Sequence, residues 1–511
     1  MLRLVVPLVL VASSALAHPD RAARLALFRD LVDQAKKHHV FAPVVEANLG
    51  RKWESELPRL EAEFAGAERP ELLGAALYHF QNSLRNRHCY YDPPGRARVL
   101  TAGISVEVEW KGDAPTFYVA EVTDAALAGK VARGDLVVEV DGVPAADFLE
   151  RFSLESNANH WRQIADDVAE FLGERYTGVT AVREGDPSSF VFRGRANGKL
   201  RRERLIWRPK PRGPRADIEK VDYGAKVCAD LPARDYGPYK LRDTGMNYCL
   251  YTSDAAPFSA YPIVRHFSFW YDMGPTAIHH LLRLEHKMLS TQLAAVAGAR
   301  GVILDLRDNH GGNNPNWFFD WWAPGPYVDD FVEMKLSDDL GEPGKLERLG
   351  WSADDVERYL AALKGRKPGQ EFSARRPFFC RPDGCEWDNR YTPSHQVTKL
   401  PIALLVGPMC TSACDSLALI FHLYGFGPLV GQPAAAAYTA VRIEVPVRGG
   451  ELGTLRFALS REVSGKTGEL IEGRRVPMDV AIERTFTNRA RYDALLVEGA
   501  IGALERRATT R

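Results

Sequence analysis

The sequence has no excess charge of either sign. Lys and Arg together number 66, as do Asp and Glu, so no one-signed field is available to gather nucleic acid or another polyanion. Long apolar runs are scarce too: after the first residues none approaches the roughly 20 that span a bilayer. No repeated or compositionally biased tract occurs, which excludes solenoid and low-complexity architectures. Cysteines number 7 in 511 residues, and Cys and His show no closely spaced four-ligand pattern, so neither a metal nor another cofactor is expected. What remains is an ordinary globular composition, 45% hydrophobic and 26% charged. The length suffices for about three domains.

The opening residues, MLRLVVPLVLVASSALAHPD, combine a basic Arg3, an apolar run from Leu4 to Ala12 and the small-residue pattern Ala15-Leu16-Ala17. They predict a secretory signal peptide over residues 1–17 and an exported protein, periplasmic or extracellular. Disulfides suit that setting. Cys380 and Cys385 flank the turn sequence Arg-Pro-Asp-Gly, and Cys228 with Cys249 is a second plausible pair. Cys89, Cys410 and Cys414 are left as buried thiols or as a Cys410–Cys414 or Cys89–Cys414 bridge.

Residues 18–100 read as helical, with apolar positions such as Phe28, Leu31, Leu73, Leu77 and Phe80 at helical spacing, until Pro93-Pro94-Gly95 interrupts. Residues 101–212 read as short alternating strands. There Gly134-Asp135 leads into a strand expected to present Leu136, Val138 and Val140 on one face, followed by an Asp141-Gly142 hairpin turn. Residues 213–312 and 396–511 read as two β-α-β units sharing one parallel or mixed sheet, an α/β core. Residues 313–395, aromatic at first and then charged and helical, read as an insertion between them.

The core's second unit is the informative one. Pro401 to Gly407 is a buried strand, apolar residues from Ala413 to Tyr424 recur with helical period, and Gly425 supplies a C-cap. Ser412 falls where strand gives way to helix. A serine there most often only caps the helix, but the N-terminal N–H groups and the dipole also favour negative charge, as an acyl-transfer nucleophile requires.

Several motifs carry a resemblance. Ile303-Leu-Asp-Leu-Arg-Asp-Asn-His-Gly-Gly312 and Ser412-Ala-Cys-Asp415 resemble the strand-turn and nucleophile motifs of the C-terminal processing and tricorn-like serine peptidases, and residues 125–144 look like the end of a PDZ domain. The resemblance implies a multi-domain α/β fold with a ClpP/crotonase-like β-α-β core, an N-terminal helical domain and a PDZ-like β-rich domain. It implies Ser412 as nucleophile. The lysine of the processing branch is missing from Gly431-Gln-Pro-Ala-Ala-Ala-Ala-Tyr438, so the tricorn-like branch is the better guide. There the base is a histidine at the end of the helical domain, here His88, oriented by a glutamate about sixty residues after the serine, here Glu472. Oxyanion donors would come from Gly311 or Gly312 and from Ala413. His310, His422 and Glu469 are the rivals, and His422 lies ten residues along a rigid helix, too far to reach back. The expected function is a secreted serine endopeptidase acting on protein or peptide substrates through an acyl-enzyme. The alternatives are a catalytically lapsed binding protein and another acyl hydrolase or esterase.

Overall fold

The computed structural model describes residues 18–95, 97–210, 228, 231, 233–269, 275–312, 315–342, 344–348, 351, 353–377, 388–439 and 441–509. Residues 1–17 and the Cys380/Cys385 pair lie outside them. Among the described residues no helix is long and apolar enough to cross a membrane.

Four helices open the chain: α1 (Arg21–His38), α2 (Pro43–Leu49), α3 (Leu57–Gly66) and α4 (Pro70–Ser83). Local chemistry sets their starts. Asp20 caps α1 through the Ala23 N–H at 2.8 Å, and α2, α3 and α4 each carry proline in the first turn, where its missing N–H costs nothing. Phe28, Leu31, Phe64, Leu73, Leu77 and Phe80 fill the space between them.

Next comes an antiparallel sheet of β1 (Ile104–Lys111), β2 (Ala114–Val122), β3 (Leu136–Val140), β4 (Pro187–Arg193) and β5 (Leu200–Ile206). It is covered by helix α5 (Trp161–Gly173), whose Ile164, Val168 and Leu172 are fully buried. The Asp141-Gly142 turn forms with both residues at positive φ, as a tight hairpin requires. The expected face of β3 is corrected. A register shift between Val137 and Glu139 breaks the two-residue alternation, so Val137 and Val140 are buried while Leu136 and Val138 are only partly so.

The core is a mixed seven-stranded sheet in the order β6 (Lys240–Thr244), β7 (Tyr248–Thr252), β8 (Ile263–His266), β9 (Val302–Asp305), β10 (Ile402–Val406), β11 (Leu429–Gly431) and β12 (Val480–Ala481). Strands β8 to β12 are parallel, and β6 and β7 extend one edge antiparallel. Strands β9 and β10 are buried at every position because helices cover both faces. Val302, Leu304, Ile402, Leu404 and Val406 point to the side of α6 (Pro275–Ala294), α7 (Pro315–Trp322) and α8 (Ala413–Tyr424). Ile303, Ala403 and Leu405 point to α9 (Tyr492–Thr509). The aromatic residues Phe318, Phe319, Trp321 and Trp322 of α7 share one apolar cluster with α8, and Phe331–Met334 pairs with Ser460–Val463. The described residues of segment 313–395 are thereby packed into two clusters: α7 and Tyr391 join the core cluster, while Leu336, Leu340, Leu346 and Tyr359 join the cluster of the N-terminal helices.

The three parts meet near one edge of the core. Asn48 Nδ2 donates to Gly473 O at 2.8 Å, Asn159 Nδ2 to Ala436 O at 2.7 Å and Gln163 Nε2 to Pro408 O at 2.9 Å.

Candidate active site

Strand β10 ends at Val406, helix α8 begins at Ala413, and Ser412 is the last residue before the helix. Its backbone sits at φ 59° and ψ −126°, a region that costs a non-glycine residue roughly 1–3 kcal/mol. Although it occupies the N-cap position, its side chain makes no capping hydrogen bond. The capping role is therefore not realised. A strained serine at a strand-to-helix turn has the geometry of a nucleophile elbow, which lifts the hydroxyl clear of the backbone.

Several contacts hold this conformation. The Ser412 N–H donates to Ala437 O at 2.9 Å, the Thr411 N–H to Asn309 O at 3.3 Å and the Ser416 N–H to Ser412 O at 3.1 Å. A Cys410–Cys414 disulfide brackets the turn. Gly311 lies against it at φ +81°, where an added Cβ would come within 2.7 Å of Thr411 O, 2.8 Å of Ser412 Cβ and 2.9 Å of Ala413 N. Only glycine fits there.

The oxyanion expectation is narrowed at this point. The Gly311 N–H already donates to Asn309 Oδ1 at 2.7 Å, so it is not free to meet a developing charge. Gly312 and Ala413 keep N–H groups that no described residue engages. Ala413 also stands at the positive end of the α8 dipole.

Beneath the elbow the alanine-rich loop is fixed by two buried carboxylates. Asp415 accepts from the Ala436 and Ala437 N–H groups at 2.8 and 3.0 Å, and Glu472 Oε2 accepts from Tyr438 and Thr439 at 2.8 and 2.7 Å. The same loop presents the carbonyl that holds Ser412, so the elbow and Glu472 share one support. Burial drives both carboxyls above the usual range, against the pull of those N–H donors. Glu472 Oε1 is enclosed beside the Asn159 amide, with no hydrogen bond of good geometry among the described residues. The rival Glu469 is exposed and ion-paired with Arg474.

His88 stands after the end of α4, its backbone N–H held by Asn86 Oδ1 at 3.0 Å. Its ring is partly buried and Nδ1 is enclosed without a partner. Burial, and then the Arg442 charge, lower its pKa to about 4. The ring therefore rests as neutral imidazole with neither nitrogen committed. It makes no hydrogen bond to Ser412 or Glu472, although its neighbour Cys89 lies within electrostatic range of Glu472 and Arg442. Cys89 itself is a buried free thiol whose pKa burial pushes far up, which leaves no thiolate nucleophile.

The other histidines sort by position. His422 is exposed on the last turn of α8, beside a separate cleft with Pro428 and Arg507. His310 is exposed next to Gly311. The sequence reading overlooked His160, which abuts the region as N-cap of α5. Its Nδ1 accepts from the Gln163 N–H at 3.3 Å, which fixes the proton on Nε2 and disqualifies it as a base in this arrangement. Asp305 and Arg307 form a buried structural ion pair at 2.6 Å. Also overlooked was the part played by Asp415, whose only signal was an acidic residue three positions after the serine. Among the described residues no group of three or more His, Cys, Asp or Glu side chains could hold a metal ion.

Comparison with known proteins fits this architecture. The family model for Peptidase family S41 matches residues 277–482, which include strand β9, the glycine turn, the elbow and Glu472. No curated relative matches the sequence. Among solved structures, mature CPAF complexed with lactacystin superposes with a TM-score of 0.64 at 18% identity, covering 95% of this chain and 98% of that one. Mature CPAF alone gives 0.64 at 18%, covering 93% and 96%. At these identities the likeness establishes the fold.

Proposed function

Because residues 277–482 are a Peptidase family S41 domain and the enzyme is in consequence a serine-type peptidase, we propose that it is an exported endopeptidase working through Ser412, His88 and Glu472. The observation that carries the reading is the uncapped Ser412 at positive φ on the β10–α8 turn, with unengaged N–H groups at Ala413 and Gly312.

In this reading His88 takes the Ser412 proton as the hydroxyl attacks the scissile carbonyl, then returns it to the leaving amine. Glu472 stabilises the imidazolium and fixes its tautomer. Two buried orphans support the pairing: His88 Nδ1 and Glu472 Oε1 each lack a partner, and one hydrogen bond between them would satisfy both. The oxyanion would be met by Ala413 and Gly312, each donor contributing about 3 kcal/mol. The structure has His88 and Ser412 unbonded, as is common for catalytic contacts before substrate binds. Substrates would be protein or peptide chains, and the expected leader over residues 1–17 directs the enzyme out of the cytoplasm.

A fluorophosphonate probe tests the assignment. Wild type should be labelled on Ser412 and should cleave a denatured protein, and Ser412→Ala should lose both while melting at an unchanged temperature. Labelling with ester hydrolysis but no proteolysis would make the protein an acyl hydrolase of another kind. Equal cleavage by wild type and Ser412→Ala would end the proposal.

A further inference from the structure

The Cys410–Cys414 disulfide closes a ring of five residues, and two of the three it encloses are the proposed nucleophile Ser412 and the proposed oxyanion donor Ala413. The half-cystines rest on different supports. Cys410 is held by its N–H on Gly407 O and its carbonyl on the Ala435 N–H, both at 2.9 Å. Cys414 sits in the first turn of α8, its N–H on Thr411 O at 3.1 Å. Both are fully buried.

An open chain at Ser412 would relax toward negative φ. That rotates the peptide between residues 412 and 413, swings the hydroxyl and turns the Ala413 N–H away from the position it would share with Gly312. The backbone hydrogen bonds of the elbow oppose this only in part, since one of them, Thr411 to Asn309, is long at 3.3 Å. In an unconstrained chain a covalent ring of five residues restricts the backbone by a factor of roughly 30, which is the upper limit of what the bridge holds back at the elbow.

We propose that Cys410 and Cys414 are positioning residues whose disulfide locks the elbow in its reactive conformation, so that full activity is reached only after their oxidation. The inference rests on the serine-peptidase reading. Forming the bridge takes two protons and two electrons from the two thiols. A disulfide oxidant, either a protein disulfide or glutathione disulfide, accepts them and is reduced to two thiols. The chain would thus be nearly silent in a reducing compartment and switched on by oxidative folding after export. Burial of both sulfurs then shields the bridge from small reductants once α8 has docked.

The test compares wild type with Cys410→Ala/Cys414→Ala. The double variant should keep its cooperative melting transition, while its fluorophosphonate labelling rate and kcat fall roughly 10- to 30-fold and KM stays within about twofold. Wild type refolded in excess dithiothreitol should show the same loss and regain activity when unfolded and refolded in glutathione disulfide, whereas the double variant should be indifferent to the refolding redox state. A folded double variant labelled at the wild-type rate would overturn the proposal. A crystal structure of the variant gives a readout independent of activity: Ser412 should have left the positive-φ region, and finding it unmoved would also overturn the proposal. If wild type is not labelled at all, the serine-peptidase reading falls, and the conformation of Ser412 in the variant still decides the clamp.

Discussion

Replacing Gly311 by alanine adds one methyl group at the point where the glycine turn meets Ser412, the proposed nucleophile. The substitution has two costs. At φ +81° an alanine backbone is disfavoured by about 1–2 kcal/mol. The new Cβ would also lie 2.7 Å from Thr411 O, 2.8 Å from Ser412 Cβ and 2.9 Å from Ala413 N, closer than van der Waals contact allows by roughly 0.6–0.8 Å. None of these atoms is the far end of a flexible side chain, so the elbow itself has to move. Overpacking of this kind costs about 1–3 kcal/mol, which a protein of this size should survive folded. Catalysis should suffer more than stability, because displacing a reacting group by about 1 Å loses on the order of 100-fold in rate. The expectation for Gly311→Ala is a melting temperature lowered by several degrees, a fluorophosphonate labelling rate and kcat down by roughly 100-fold, and KM little changed. A folded Gly311→Ala enzyme retaining kcat within about threefold would refute the claim that this contact fixes the proposed nucleophile.

Three further outcomes follow from the charges. Asp415→Asn leaves one amide N–H facing a backbone N–H of Ala436 or Ala437, so differential scanning calorimetry should show a loss of about 1–3 kcal/mol, and a neutral effect would show that the loop does not depend on this carboxylate. For His88, burial and Arg442 set the pKa at about 4, so the acid limb of kcat/KM should lie near pH 4, and Arg442→Met should move it upward; a limb at the ordinary imidazole value in both proteins would sink the assignment. His79 lies between Glu63 at 2.6 Å and Glu155 at 3.1 Å. Burial alone would lower its pKa, but the carboxylates prevail and raise it to about 9. Its folded value therefore exceeds its unfolded one, so its contribution to stability is complete below about pH 6.5 and is lost as pH rises toward 9. Urea unfolding from pH 6 to 9.5 should show that loss in wild type and a flatter profile in His79→Gln.

Why some of this was legible in the sequence and some was not follows from the range of the interactions. Strands β9 and β10, helix α8 and its Gly425 cap depend on local period and turn chemistry, and their residues announce them. The register shift in β3 is set by pairing with β4, fifty residues away, so alternation alone put Val138 on the wrong face. The glycine turn read as a source of oxyanion donors, yet a side chain two residues earlier, Asn309, had already taken the Gly311 N–H.

The missing lysine shows the limit most clearly. From sequence, the alanines of residues 434–437 mark only an absence and shift the choice of base to a distant histidine. In the fold they have a positive part, because the loop places five successive N–H groups against named acceptors: Ala435 on Cys410 O, Ala436 and Ala437 on Asp415, Tyr438 and Thr439 on Glu472. A lysine at 436, where φ is 57°, would bring a side chain into a fully buried, densely bonded place. The loop is thus a scaffold that spaces Glu472 from the elbow and carries no lysine, which is why the proposed triad draws its base from the N-terminal domain. Charge compensation points the same way. Glu472 is buried with one oxygen unpartnered, and the group that would complete it must be a cation or a donor. In the proposed triad His88 becomes such a cation by accepting the proton of Ser412.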